Sequence, residues 1–123
     1  MSVLRFTVPL LAVFLATVPA AAGDAEKGKT LFNQCKACHA LAAGQNKIGP
    51  TLHGVFGRKS GTAEGFRYSK AMEQADILWD AATLDAYLAD PRGYIPNNRM
   101  TFVGLRKPVD RENLIEYLKQ ATK

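Results

Sequence analysis

The stretch Cys35-Lys36-Ala37-Cys38-His39 contains the only two cysteines of the 123-residue chain, and a histidine directly follows the second cysteine. Two cysteines three residues apart near the end of a helix point in the same direction. Their sulfurs can therefore bond to one edge of a single flat ligand, while the histidine offers a ring nitrogen beneath it. This spacing is the signature of covalent attachment of a c-type haem, whose two vinyl groups would accept the two thiols.

Three other interpretations of the motif are possible. A thiol redox pair with this spacing occurs in a βαβ context, and no strand pattern is visible in this sequence. A structural zinc site usually needs four ligands, and only His53 is left to join the motif. A structural disulfide would leave the adjacent His39 unexplained. Haem attachment is therefore the interpretation that accounts for all three residues.

Residues 1–22 predict a cleaved secretory signal peptide. Arg5 is the only charge among them, and an apolar run over residues 6–18 precedes Pro19-Ala20-Ala21-Ala22. A weakly basic start, a short apolar core and an Ala-x-Ala exit are typical of exported proteins. An uncleaved membrane anchor is the alternative, but a span needs about 20 apolar residues and this run is shorter. We expect residues 23–123 to form a single mature domain.

The chain is basic, with 16 Lys and Arg against 11 Asp and Glu and a net charge of +5. Removal of residues 1–22 takes away Arg5 and no acid, which leaves 15 against 11, or +4. Such an excess can reflect solubility alone, or it can attract an acidic partner and speed association at low salt. The basic residues are dispersed and the chain is expected to be exported, so we expect no nucleic-acid partner.

Capping residues and apolar periodicity predict an all-α domain. The predicted N-caps are Asp24, Ser69, Asp80 and Asp110. The first helix should end near the cysteine motif, the second should cover Lys70–Ala75, and the third should stop at Pro91. Phe32, Leu114 and Leu118 are predicted to pack helix on helix. Gly28 is predicted to let the first and last helices approach closely.

Two glycine- and proline-bearing segments, residues 41–67 and 92–108, show no periodicity and predict long loops. Long loops inside a small domain are usually functional. A mature chain of this size buries little surface by itself, so a large cofactor would help to fill the core. The loops are therefore expected to wrap that cofactor.

The second axial position of a haem iron decides what the protein can do. If it is filled by a strong ligand, the site passes electrons; if it is open, the site can bind gases or activate peroxide. The candidates are Met100, Met72, His53 and several lysines. A thioether opposite a histidine favours ferrous iron and raises the potential, but the residues alone leave the choice open.

The chain resembles the class I cytochromes c, specifically the small soluble bacterial members most similar to mitochondrial cytochrome c. The resemblance runs from about Asp24 to Thr122. It is carried by the order and spacing of several motifs: Cys35-Lys36-Ala37-Cys38-His39, Ile48-Gly49-Pro50-Thr51-Leu52-His53-Gly54, Gly57-Arg58-Lys59-Ser60-Gly61, Tyr94-Ile95-Pro96-Asn97-Asn98-Arg99-Met100, Phe102-Val103-Gly104 and Leu114-Ile115-Glu116-Tyr117-Leu118.

The resemblance implies the small cytochrome c fold, in which four to five short helices and long loops wrap a covalently bound haem. One haem c would be attached through Cys35 and Cys38. His39 would be the near axial ligand of the iron, and its other ring nitrogen would donate to the carbonyl of Pro50, which fixes the ring. Met100 would be the far axial ligand.

The resemblance also implies roles around the haem. Tyr68 and Trp79 would donate hydrogen bonds to a propionate, and Arg58 would offset propionate charge. Tyr87 would lie near the sulfur of the far ligand, and Phe102 would shield the haem beside it.

Two positions depart from the commonest family pattern. Met72 stands where many relatives have an asparagine that helps to hold a water near the haem, so the water network is expected to differ. Asn98 stands where a threonine hydroxyl is common, so contacts to the inner propionate are expected to differ.

The resemblance predicts a soluble periplasmic electron carrier that acts as a monomer and is not an enzyme. A ring of basic residues at the haem edge would steer docking onto acidic patches of membrane-bound redox complexes, such as a cytochrome bc-type complex, a terminal oxidase or a photosynthetic reaction centre. The residues of that ring would be Lys47, Arg92, Arg99 and Arg106. The rival prediction is a haem enzyme or ligand sensor with an open far position; a third is a colourless, haem-free thiol protein.

Overall fold

The computed structural model describes residues 1–4, 8–9, 11–17 and 23–123. Its helices are α1 (Ala25–Leu31), α2 (Lys70–Gln74), α3 (Ala81–Ala89), α4 (Pro91–Tyr94) and α5 (Pro108–Ala121), and a 3₁₀ turn (Phe32–Gln34) follows α1. Within these described ranges, β-structure is limited to one isolated bridge between Lys59 and Leu78. The prediction of an all-α fold with four to five short helices is therefore confirmed.

Helix α1 begins where its capping residue predicted. The Asp24 carboxylate accepts hydrogen bonds from the backbone N–H groups of Glu26 and Lys27, at 2.9 and 3.2 Å. These bonds satisfy donors that the first helical turn leaves unpaired. The helix ends at Leu31 and the 3₁₀ turn leads directly to Cys35, which confirms that the first helix ends near the cysteine motif.

Helix α1 packs closely against α5 at Gly28. A Cβ atom on Gly28 would overlap the backbone carbonyl of Asn113 and would lie 2.7 Å from the Cβ of Tyr117. Only a glycine allows this approach, so the predicted close contact between the first and last helices is confirmed. The buried side chain of Asn113 also accepts a hydrogen bond from the backbone N–H of Asp24 at 2.8 Å, which ties the start of α1 to α5.

The caps predicted for α2 and α3 are both present. The Ser69 hydroxyl oxygen accepts from the backbone N–H of Met72 at 3.1 Å. Asp80 and Thr83 exchange side-chain and backbone hydrogen bonds at 2.8 and 2.9 Å, which forms a capping box at the start of α3. Helix α2 ends at Gln74, one residue before the predicted end.

The predicted cap of the last helix was wrong. Helix α5 begins at Pro108, with Lys107 at the N-cap position and no side-chain cap, and Asp110 lies inside the first turn. Proline is favoured at the first helical position because its fixed φ suits the helix and its missing N–H would have no partner there. Asp110 therefore acts on the helix dipole.

The loop predicted over residues 92–108 begins with a helical turn that sequence reasoning missed. Pro91 ends α3, as predicted, but it is also the first residue of α4. Asp90 caps this turn by accepting from the backbone N–H of Gly93 at 3.0 Å. The short helix places the Met100-bearing segment that follows it.

The long loop predicted over residues 41–67 contains no helix and is held by hydrogen bonds to distant backbone. The N–H of Gly54 donates to the carbonyl of Thr122 at 2.6 Å, and the N–H of Gly57 donates to the carbonyl of Trp79 at 2.7 Å. The middle of the loop is therefore tied to two later parts of the chain, the end of α5 and the segment before α3.

The predicted signal peptide falls partly outside the described residues. Arg5 and the expected cleavage region Pro19-Ala20-Ala21-Ala22 lie outside them, and the described parts of residues 1–17 are exposed and carry no helix. None of the helices in the described part of the chain is long and apolar enough to cross a membrane. Cleavage before Gly23 remains a prediction.

Candidate functional site

All ten residues predicted for the site line one cavity of about 410 Å³. They are Cys35, Cys38, His39, Pro50, Arg58, Tyr68, Trp79, Tyr87, Met100 and Phe102. They come from five separate stretches of the chain, so only the folded structure could bring them together. The remaining lining is mainly apolar, as a large flat ligand with an apolar body requires.

The cysteine motif forms a tight turn at the edge of this cavity. The backbone N–H groups of Cys38 and His39 both donate to the carbonyl of Cys35, at 3.1 and 3.0 Å. Both thiols are free and half-buried. The turn therefore presents both sulfurs and the imidazole to the same cavity, as covalent attachment of one flat ligand requires.

The Cys35 thiol does not have the property of a reactive redox cysteine. Burial and the neighbouring Cys38 raise the pKa of the Cys35 thiol to about 11. A reactive redox cysteine needs a lowered pKa because the thiolate is the nucleophile. His53, the fourth ligand that a zinc site would need, does not line the cavity. The geometry therefore favours ligand attachment over both alternatives.

The imidazole of His39 is fixed in orientation and tautomer. Its Nδ1 lies 2.7 Å from the carbonyl oxygen of Pro50, and since that oxygen can only accept, Nδ1 carries the proton. Burial lowers the pKa of His39, the Pro50 hydrogen bond opposes that shift, and Arg58 and Lys47 lower the pKa further. The ring is therefore neutral near pH 7 and its Nε2 lone pair is available to a metal.

Two of the alternative axial candidates lie in the cavity and the others do not. Met72 and Met100 both line it, whereas no lysine and no second histidine belong to its lining. The hydroxyl of Tyr87 lies 3.8 Å from the sulfur of Met100 and donates to it. Burial raises the pKa of Tyr87 to about 12, so this phenol stays a donor through the physiological range. Met100 is thus the thioether that the surrounding structure orients.

The guanidinium of Arg58 provides a direct test of whether a carboxylate-bearing ligand fits. Its two terminal nitrogens donate to the carbonyls of His53 and Thr51, at 3.1 and 3.0 Å. Its Nε is buried and has no hydrogen-bond partner. An unpaired buried donor is costly, and a carboxylate in the cavity would satisfy it. The propionate of a haem fits this requirement.

Arg58 is therefore not a solvated surface charge. Burial lowers its pKa, and Tyr68 opposes that shift, but a guanidinium stays charged in proteins. The Tyr68 hydroxyl oxygen accepts from the backbone N–H of Ala63 at 2.9 Å, so its own proton remains available to the cavity. The hydrogen bonds of the described residues do not use the indole N–H of Trp79, a residue that is 6% exposed and lines the same cavity.

Sequence reasoning missed part of the cavity wall. Phe32, Leu114 and Leu118 pack in the helical core as predicted, but all three also line the cavity. Leu52 and Val55 line it from the glycine-rich loop. In the sequence, the only sign of Leu52 and Val55 is that apolar residues recur in a loop without periodicity. That pattern predicts burial, but it does not identify the residues or ligand that they pack against.

Two comparisons with known proteins bear on identity, and the first is with protein-family models. The cytochrome c family model matches residues 25–122, which is most of the chain.

Curated relatives give the second comparison. A cytochrome c of Cochliobolus lunatus is 52% identical over 103 residues, which is 82% of this chain and 95% of the relative. A cytochrome c of Arabidopsis thaliana is 52% identical, over 82% of this chain and 92% of the relative. The bacterial cytochrome c2 iso-2 of Magnetospirillum fulvum is 51% identical over 88 residues, which is 72% of this chain and 92% of the relative.

The fold agrees with both comparisons. A helical domain without strands in its described part, with a Cys-x-x-Cys-His turn on an apolar cavity, agrees with these matches. The chain therefore belongs to the cytochrome c family, whose members carry one haem c bound covalently through two cysteines, here Cys35 and Cys38.

Proposed function

We propose that this chain shuttles single electrons between redox partners through a haem c whose iron is held by His39 and Met100. One observation carries the proposal: an oriented neutral imidazole and an oriented thioether line the same apolar cavity. The family supports an electron carrier. The bound haem supplies the one-electron chemistry, and the protein residues set its ligands, charge and exposure.

The protein's task at the iron is to keep both ligands in place in both oxidation states. Pro50 holds the ring of His39 through the 2.7 Å contact, and Tyr87 holds the sulfur of Met100. Side chains that are already held would need little rearrangement to bind the iron in either oxidation state. A thioether and an imidazole as its two ligands would also favour ferrous iron and raise the potential.

The propionates are assigned to the polar part of the cavity. The unpaired Nε–H of Arg58 would donate a hydrogen bond to one carboxylate. The available donors of Tyr68 and Trp79 would satisfy further propionate oxygens. Phe102 is half-buried on the same cavity and would exclude water beside Met100. With a full ligand set and no open position, we propose that the protein is a carrier and not an enzyme.

Basic side chains, one of them on the cavity itself, would guide the chain to acidic partners. Arg92, Arg99 and Arg106 are exposed, and the salt bridges of the described residues do not involve them. Arg99 also lines the cavity, whereas Lys47, Arg92 and Arg106 do not belong to its lining. Lys47 uses its ammonium group to donate to the carbonyl of Lys36 at 2.7 Å but keeps its charge.

These features support brief docking of a monomer onto acidic patches of membrane-bound complexes. A cytochrome bc-type complex, a terminal oxidase or a photosynthetic reaction centre would be suitable partners. Small and transient interfaces suit such encounters because the carrier must leave after each electron.

We also propose that the protein works in the periplasm after cleavage of residues 1–22. The leader pattern supports export. The described structure is compatible with cleavage before Gly23, because the folded domain begins at once with Asp24 as the cap of α1. N-terminal sequencing of the protein purified from cells would test the cleavage site directly.

The test of the ligand assignment is an optical spectrum of ferric and ferrous protein. A methionine sulfur on ferric haem gives a weak far-red band. We expect that band in wild-type protein, its loss in Met100→Leu together with a lower potential and new binding of imidazole, and its retention in Met72→Leu. Leucine conserves side-chain volume at both positions, so packing is matched.

Two results would contradict the proposal. If Met100→Leu kept the far-red band and the potential, Met100 would not be a ligand. If wild-type protein had haem bands but no far-red band, the far position would be open or differently filled. A peroxidase or ligand sensor would then be the better interpretation of the protein's function.

A further inference from the structure

Every hydrogen-bonding group of the Asn98 side-chain amide is directed at the backbone around Met100. Its Nδ2 donates to the carbonyls of Pro91 and Ile95, both at 2.8 Å. Its Oδ1 accepts from the backbone N–H of Met100 at 2.8 Å. One side chain therefore joins both ends of helix α4 to the peptide of the proposed ligand.

The orientation of this amide is fixed by its partners. Two carbonyl oxygens can only accept, so the group facing them must be the NH₂; the N–H of Met100 can only donate, so the group facing it must be the oxygen. A flipped amide would lose all three bonds. Since both amide protons are used on the backbone, Asn98 has none left for a propionate, which is the expected departure from a threonine at this position.

The two carbonyls that anchor the amide belong to well-packed residues. Pro91 is among the most deeply buried side chains, and Ile95 is 4% exposed. The N–H of Ile95 also donates to the carbonyl of Pro91 at 3.1 Å, which closes the turn of α4. The next residue but one, Asn97, adopts a left-handed conformation with φ +66°, which redirects the chain toward Met100.

We propose that Asn98 is a positioning residue that holds the Met100 segment in the geometry that keeps its sulfur on the iron. The amide fixes the Met100 backbone against α4, and the hydroxyl of Tyr87 fixes the sulfur. Loss of the amide would let the segment open more often, so that an outside ligand could replace the sulfur. The inference rests on the proposed ligation by Met100.

The experiment compares Asn98→Ala with Asn46→Ala in the haem-loaded ferric protein. Asn46 is a matched control because its amide also links loops, donating to the carbonyl of Glu64 at 2.9 Å and accepting from the N–H of Thr51 at 3.0 Å. It lies outside the Met100 segment. Both substitutions remove an amide clamp and should lower resistance to urea.

Only Asn98→Ala is expected to weaken the hold on the iron ligand. We expect its apparent affinity for imidazole, read from loss of the far-red band, to rise roughly tenfold, the factor that corresponds to about 1.4 kcal/mol. Asn46→Ala should bind imidazole as the wild type does. If Asn98→Ala yields too little folded protein, Asn98→Ser, which keeps one hydroxyl, should show a smaller increase than tenfold but a clear one.

The outcomes separate this inference from the ligand assignment. If wild-type protein has the far-red band but the Asn98 variants bind imidazole no more tightly than wild type, the positioning role is wrong while ligation by Met100 stands. If the Asn46 and Asn98 variants gain affinity equally, general loosening explains the effect and the inference also fails. If wild-type protein lacks the band, the ligand assignment itself has failed.

Discussion

Replacing Gly49 by alanine would place a methyl group against the imidazole of His39. A Cβ atom at this position would lie 2.8 Å from both ring nitrogens and closer still to the carbon between them. Ordinary contact begins at 3.4 Å, so the overlap with the two nitrogens is about 0.6 Å. Either the ring or the backbone of Gly49 would have to move.

Neither group can move freely. The N–H of Gly49 donates to the carbonyl of Cys38 at 2.8 Å, and its own carbonyl accepts from the N–H of Lys47 at 2.9 Å. The ring of His39 is held by the carbonyl of Pro50. The strain is therefore expected to fall on the imidazole, the proposed near ligand.

The expected magnitude follows from three terms. Overpacking a fixed site costs about 1–3 kcal/mol, and losing the ring hydrogen bond costs about 1 kcal/mol. Alanine also restricts the unfolded chain relative to glycine, which stabilises by about 0.4–1 kcal/mol. We expect Gly49→Ala to lower the free energy of unfolding by about 1–3.6 kcal/mol in total.

The assay combines urea unfolding with the electron paramagnetic resonance spectrum of the ferric protein, which reports the orientation and strength of the axial imidazole. Gly28→Ala is the matched control: it overlaps Asn113 on α5 and should destabilise the fold, but it does not line the cavity. We expect both variants to unfold more easily and only Gly49→Ala to change the resonance spectrum. An unchanged spectrum in Gly49→Ala, or equal changes in both variants, would refute the reasoning.

Three further predictions concern the polar groups of the site and the surface. Burial raises the pKa of Tyr87 to about 12 from 10.0, so the folded state prefers the neutral phenol; its stabilising contribution is complete below pH 10 and is lost as the pH rises toward 12. Urea unfolding across that interval should show a steeper loss of stability in wild-type protein than in Tyr87→Phe, and parallel curves would contradict this. Arg58→Lys should lower the free energy of unfolding by about 1–3 kcal/mol, because two carbonyls lose the donors that a guanidinium fork supplies. An unchanged urea midpoint would contradict this, because it would show that water replaces the lost donors at no cost in stability. The rate of electron transfer to a membrane-bound partner complex should fall as ionic strength rises. Compared with wild-type protein, the fall should be less steep in Arg99→Gln and equally steep in Lys27→Gln, a substitution on α1. A rate independent of salt would exclude electrostatic docking.

Helix starts were predicted well wherever one residue decides them. Asp24, Ser69 and Asp80 cap their helices because the cap bond lies within one turn and needs no distant partner. The prediction failed at Asp110 because a competing local signal two residues earlier, Pro108, starts the helix first. Pro91 was correctly predicted as the end of α3, but the same residue is also the first residue of α4. A proline that ends one helix does not by itself indicate that another helix begins there.

The far ligand could not be chosen from the residues alone. Met72 and Met100 are equivalent as thioethers in a sequence, and His53 stands close to the motif. The structure narrows the choice of far ligand. His53 does not line the cavity, and of the two methionines only Met100 accepts a hydrogen bond from the hydroxyl of Tyr87. That contact joins residues 13 positions apart on different elements, which no local pattern specifies.

The sequence by itself determined the attachment chemistry, because Cys35, Cys38 and His39 lie within a single turn whose geometry five residues fix. It also determined the helical class, through caps and periodicity that act over a few residues. Only the tertiary structure decided how the cavity is lined, which donor of Arg58 is left unpaired, and that Asn98 ties the backbone of α4 to the N–H of Met100. The reason is that these groups are far apart along the chain or turn toward neighbours that a linear pattern does not name, and their energies depend on burial, which exists only after folding.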